Sequence, residues 1–153
     1  MSFKDNHIEL QHLVREHRLL RQHNLRFKPG DPQEDILLFA EGAVILMTLE
    51  RFARAILGAD ATEEDTLYNL LQKAVSKGFI LLPWDDQEEG IRRLKDVRNT
   101  ILHGNFEQAA KQAGCASVAD YFGTTFAAEI ERLYKITEHL FQQIDPATGK
   151  RAR

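Results

Sequence analysis

The chain has 153 residues, of which 43% are hydrophobic and 28% charged, enough for a single globular domain with a real core and too apolar for a disordered one. Its formal charge of −3 excludes a general nucleic-acid coat protein, though not a local basic cleft. A single cysteine, Cys115, excludes an internal disulfide and fits a reducing cytoplasm.

Four prolines and nine glycines are few, and the chain reads as helix after helix. The opening Met1-Ser2-Phe3-Lys4-Asp5 has no apolar signal core, so a cytoplasmic location is expected. Residues 3–24 carry Ile8, Leu10, Leu13, Val14, Leu19 and Leu20 at helical spacing, and residues 27–30 are a loop. Asp31, Pro32 and Glu34 form a helix start, with an acid at the cap and proline in the first turn. That second helix is predicted to run to Leu57 and to stop at Gly58-Ala59-Asp60. It is apolar nearly all round from 36 to 49, so it should be covered on most sides. The same tract is broken by Glu41 and is too short to span a bilayer, so no membrane is expected.

Thr62-Glu63-Glu64-Asp65 resembles a capping box and predicts a third helix to Lys77, stopped by Gly78. Residues 79–84 are an apolar, β-like connector without a partner strand. Asp85-Asp86-Gln87-Glu88 caps a fourth helix that ends at His103-Gly104. Asn105 can cap a short helix to Gln112. Ser117 opens the last long helix, to about Ile144, and Asp145-Pro146 ends it. The expectation is one all-α domain over 1–153, an up-and-down bundle of about five main helices, with a frayed basic tail at 146–153.

Chemistry concentrates in Arg98-Asn99-Thr100-Ile101-Leu102-His103-Gly104. At about 100° per residue, Ile91, Leu94, Val97, Ile101 and Leu102 share one apolar arc, and Arg98 falls inside it. A guanidinium does not lose its proton and is rarely buried alone, so Arg98 is expected in a cleft or a protein–protein seam. Asn99 and His103 are four apart and stack on the neighbouring face. His103 stands at a helix C-terminus, where the dipole favours its protonated form. A fixed cation beside a proton-transferring histidine suits phosphodiester cleavage. The alternative is structural, with Arg98 paired to a buried carboxylate and His103 decorating a helix end.

An all-α chain of this size with Arg-Asn-x-x-x-His late in a helix resembles the HEPN family (higher eukaryotes and prokaryotes nucleotide-binding domain), through Arg98, Asn99 and His103. The apolar second helix ending in Leu49-Glu50-Arg51-Phe52 also suits that family. The resemblance implies a metal-independent endoribonuclease, often a toxin or host-defence factor, in which two motifs face one cleft of a homodimer. His103 would act on the proton of a ribose 2′-hydroxyl or of the leaving oxygen. Arg98 would stabilise charge on the phosphorane-like transition state, and Asn99 would hold the phosphate or orient His103. Members without catalysis imply the alternative, a module binding RNA, nucleotide or a protein partner. Some toxin members carry a tyrosine two residues after the histidine that a partner enzyme modifies. Here Asn105 stands there, which puts such control in doubt.

Around the motif, Arg92 and Lys95 are expected to bind RNA, as is Arg51 on the second helix. The expected partners are a second copy of the chain and single-stranded RNA, with no cofactor. His7, His12, His17 and His23 are spaced five, five and six apart, which gives no i, i+4 pair and no expected metal site. Arg15, Arg18, Arg21, Arg26 and Lys28 are either RNA-backbone contacts or a solvated face. For Glu41 two readings stand: it, or Glu50, positions Arg98 or reaches the cleft, or it belongs to an exposed edge stripe on a helix that is not fully covered.

Overall fold

The computed structural model describes residues 7–24, 32–83, 85–145 and 148–151, with the side chains of 32–34 left aside. Arg26, the predicted loop at 27–30 with its Lys28, Asp31 of the second helix start, Trp84 and Pro146 lie outside the described residues. The elements are α1 (Ile8–Asn24), α2 (Pro32–Leu57), α3 (Leu67–Ser76), α4 (Gln87–His103), α5 (Phe106–Gln112), α6 (Val118–Tyr121) and α7 (Ala127–Gln142). A π turn, Phe122–Phe126, joins α6 to α7 as one continuous helix. The chain is all-α: among the described residues there is no strand beyond a single bridge between Ile144 and Arg151.

Contacts at both ends fix how the long helices run. Arg51 pairs with Glu9 at 3.2 Å, and Asn24 donates to the carbonyl of Leu37 at 3.0 Å, so α1 and α2 are antiparallel. Gly42 lies against Ile130, and Phe52 against Phe141 at 4.7 Å between ring centroids, so α2 and α7 run the same way. Ile101 meets Gly42 at the far end of α4, whose start lies beside the C-terminal end of α7. The four long helices therefore alternate in direction along the chain. Their shared core includes Ile45, Leu49, Phe52, Ile130 and Leu133, all fully buried.

Local starts and stops follow side-chain chemistry, with one correction. The Thr62–Asp65 segment does not open α3. Its Asp65 carboxylate accepts from the Thr62 amide at 2.8 Å and from Lys73 at 2.6 Å, which closes a turn and holds the Asp65 carboxyl below the usual carboxylate range. Thr66 is the cap, accepting from the Asn69 amide. Asp86 caps α4 by accepting from the Glu89 amide at 3.1 Å. Gly104 stops α4 with φ +64°, a left-handed conformation that glycine adopts without strain. Asn105 precedes α5 without a side-chain cap bond, and Ser117 caps α6. Lys150 and Arg151, expected to fray, turn back on the end of the last helix, with the Asp145 amide donating to the Lys150 carbonyl at 2.8 Å.

The connector after α3 is extended, with Ile80 and Leu82 buried and Leu81 outward. Among the described residues it has no partner strand. Instead the side-chain amide of Gln143 accepts from Leu81 N–H and donates to its carbonyl, both at 2.7 Å. Gln87 does the same for Leu82, at 2.6 and 2.8 Å.

At Gly42, α2 packs against Ile101 of α4 and Ile130 of α7. A Cβ there would stand 2.8 Å from Ile130 Cδ1 and 3.0 Å from Ile101 Cδ1. Gly42→Leu is expected to destabilise the fold by about 3 kcal/mol through overpacking, read as a lower denaturant midpoint. Gly42→Ala should be far milder, because the gain of about 1 kcal/mol in helix propensity offsets a small shift of the two isoleucine tips.

Candidate functional site

The motif occupies the last two turns of α4. Ile91, Leu94 and Ile101 are buried, and Val97 is half-buried, as the apolar arc requires. Leu102, assigned to the same arc, is instead 60% exposed. The reason lies in α3. Ile91, Lys95, Arg98 and Leu102 form one stripe, at spacings of four, three and four. Its upper part runs under α3, where Lys95 Nζ stands 5.2 Å from the Tyr68 ring centroid. Tyr68 is in the first turn of α3, so the stripe beyond Lys95 lacks that cover. Arg98, half-buried, and Leu102, exposed, are the residues left there.

Arg98 pairs with no carboxylate among the described residues. Its Nη1 donates to Asn99 Oδ1 at 3.5 Å, a long bond that leans the guanidinium toward the Asn99 face. Arg98 and His103 are five residues apart, about 140° round the helix. Asn99 bridges this angle, adjacent to the arginine in sequence and one turn before the histidine. His103 is exposed and has no hydrogen-bond or ion-pair partner among the described residues. Beyond it a groove of about 610 Å³ is lined by Gly104, Asn105, Phe106, Glu107, Gln108, Lys111 and Val118. Phe106 anchors this end of α4, with its ring 5.7 Å from Phe39 and 4.9 Å from Phe122.

The three expected RNA-binding residues divide. Arg92 lies on the outer side of α4 that also carries Asn99 and His103, and Lys95 stands at the edge of that side, against Tyr68 of α3. Arg92 is already balanced by Glu88 at 3.8 Å and Glu89 at 3.5 Å. Arg51 is not brought to the motif. It faces α1 through Glu9, nine residues along α2 from the Gly42–Ile101 crossing, or roughly 13 Å.

Glu41 satisfies neither reading made from the sequence. It is fully buried, does not touch Arg98, and is held from α1. Asn24 Nδ2 donates to Glu41 Oε2 at 2.7 Å, and Arg21 Nη1 to Glu41 Oε1 at 3.2 Å. The other end of the Arg21 fork donates to Glu131 of α7, and its guanidinium lies 5.5 Å from the Tyr134 ring centroid. Burial raises the Glu41 carboxyl above its usual range, against the lowering pull of Asn24 and Arg21. Glu50 bonds Arg54 of its own helix instead, and Thr48, also buried, donates to the Val44 carbonyl at 2.7 Å. The signal for this cluster in the sequence was a lone acid in an apolar tract together with arginines at the end of α1. Pattern reading could not say that they meet.

Among the described residues no set of three or more His, Cys, Asp or Glu side chains converges as a metal site. Cys115 is half-buried, with its sulfur 3.6 Å from the Thr125 hydroxyl. None of the described helices is long and apolar enough to cross a membrane. No protein-family model matches the chain, and no curated protein or solved structure is found similar to it.

Proposed function

We propose that this chain is a HEPN-like, metal-independent endoribonuclease that cuts single-stranded RNA at a cleft shared by two copies. The observation that carries the reading is the end of α4. Among the described residues, a half-buried guanidinium without a carboxylate partner leans on the Asn99 amide, one turn before an exposed histidine that has no partner, on an open helix end. In this reading the ribose 2′-oxygen attacks the adjacent phosphorus as its proton passes to a base, and the 5′-oxygen leaves as it gains one. His103 serves one of those transfers. Arg98 balances the charge on the phosphoryl oxygens, and Asn99 aims the phosphate. The products are a 2′,3′-cyclic phosphate and a 5′-hydroxyl, and DNA, lacking the 2′-hydroxyl, resists. A role in a toxin or host-defence system belongs to the same proposal.

The 140° between Arg98 and His103 favours completion by a partner, and two surface features support one. Leu102 is exposed beside Arg98. On α2, Ile36, Ala40, Ala43 and Met47 form a stripe at spacings of four, three and four, with Ile36 66% and Met47 47% exposed. Sedimentation at tens of micromolar is expected to give a dimer, and Leu102→Glu to shift it toward monomer. A monomeric wild type would remove the shared cleft.

The same angle favours a second reading, a non-catalytic module that holds RNA, nucleotide or a protein partner through Arg98 and Asn99. Incubation of labelled single-stranded RNA with purified protein, with and without EDTA, separates the two. Cleavage that survives chelation supports the enzyme, whereas retention of uncut RNA supports the module.

A further inference from the structure

Helix α1 joins the bundle in an unusual way. Its fully buried side chains are Leu10, His17 and Asn24, of which only the first is apolar, while Leu13, Val14 and Leu20 are half-buried. Ile8 and Leu19 point outward, at 65% and 50% exposure. Hydrophobic burial therefore contributes less to holding α1 than to holding α2 or α7, and polar groups make up the difference. Asn24 and Arg21 of α1 grip Glu41 of α2, and Arg21 also grips Glu131 of α7.

His17 sits one turn before Arg21 in the same seam. It is 2% exposed, with its ring edge-on to Tyr134 of α7 at 5.2 Å. Its Nε2 is buried without a hydrogen-bond partner among the described residues. The charged groups acting on it from its own helix are Arg18 and Arg21, both cations. From α7 it faces Tyr134, while Glu131 of α7 and Glu41 of α2 are both taken by Arg21. A proton on His17 would thus add a buried cation beside the half-buried Arg21, with no free carboxylate among the described residues to receive it.

We propose that α1 is an acid-released strap: protonation of His17 inside the Arg21–Glu41–Asn24–Glu131 lock frees α1 from the α2–α7 pair while the rest of the bundle stays folded. The inference stands on the α1 seam alone and does not depend on RNA cleavage.

The sign follows from linkage. Burial, then Arg21 and Arg18, push the His17 pKa from 6.5 down to about 4. Between those values the released helix binds a proton that the docked one refuses, so docking strengthens with rising pH and is complete above 6.5. It is lost as the pH falls toward 4. Glu41 acts in the opposite sense. Its raised pKa lets the docked state keep a proton more readily, which favours docking in acid and weakens as pH rises. Protonated Glu41 also leaves Arg21 balanced by Glu131 alone, which makes a charged His17 still less tolerable.

Hydrogen exchange by mass spectrometry, corrected for intrinsic rates, tests the strap. From pH 7 to 4.5, opening of α1 amides is expected to rise on the order of 50-fold, with α2, α4 and α7 protection held. His17→Phe, which keeps a ring but cannot charge, should hold α1 within about threefold of its neutral-pH opening. Unchanged α1 protection in the wild type overturns the proposal, as does a His17→Phe chain that releases α1 in acid as the wild type does. If His17→Phe does not fold, an NMR titration of the wild-type ring decides. Protonation below about pH 5 together with α1 release supports the strap, and protonation near pH 6.5 with α1 still docked overturns it.

Discussion

His103→Ala is expected to lower RNA cleavage by about 10²–10⁴-fold, the usual worth of a general acid or base, with the fold unchanged. The side chain is exposed, partnerless among the described residues and at a helix end, so its loss removes no buried contact. The free energy of unfolding should stay within the scatter of surface substitutions, about ±0.5 kcal/mol. Arg98→Ala should stop cleavage as well, but for a different reason and with a second effect. In the proposed reaction it removes the charge that would balance the phosphoryl oxygens, and in the fold it removes the half-buried stem that flanks Leu102 at the uncovered end of α4. Dimer affinity should therefore fall for Arg98→Ala and hold for His103→Ala. A His103→Ala chain that cuts as well as the wild type takes the histidine out of the chemistry, and the binding-module reading replaces the enzyme.

Glu41→Ala is expected to cost about 3–5 kcal/mol, among the largest single-site losses in the chain. The carboxylate is fully buried and accepts from two residues of α1. Removing it leaves Arg21 with Glu131 alone and Asn24 Nδ2 with the Leu37 carbonyl alone. Urea unfolding at pH 7 measures the loss. Pairing the substitution with Arg21→Ala in a double-mutant cycle should show the two costs overlapping instead of adding. Strict additivity would mean that the two side chains act independently, against the geometry. Glu41→Gln keeps an oxygen for Asn24 and should cost less than the alanine change.

Much of the architecture is legible in the sequence, because helix ends are set locally. Asp86, Gly104 and Ser117 each act within three or four residues of themselves, and the boundaries read from them hold. Thr62 misleads for the same local reason: its box-like spacing with Asp65 closes a turn, and the true cap is Thr66, four residues on. The π turn at Phe122–Phe126 leaves no mark in the apolar period, since it widens a helix without stopping it. At the motif, Arg98, Asn99 and His103 share one helix, so their relative angles follow from spacing alone. The exposure of Leu102 does not, because it depends on where α3 begins. The Arg21–Glu41–Glu131 cluster is the least legible of all. Its members come from three helices separated by 20 and 110 residues, and only tertiary packing brings them together.

The extended connector behind α3 carries an aggregation hazard that the fold disarms. Phe79-Ile80-Leu81-Leu82 is an apolar run of the kind that recruits a neighbouring chain edge to edge, and an unpaired strand invites such recruitment. Here the amides of Gln143 and Gln87 occupy the hydrogen-bonding groups of Leu81 and Leu82 on both donor and acceptor sides. Two side chains, one from the first residue of α4 and one from the residue capping α7, thus stand in for the missing strand, and the edge that could template intermolecular pairing is already taken. This makes the two glutamines guardians of solubility, although neither belongs to the core or to the motif.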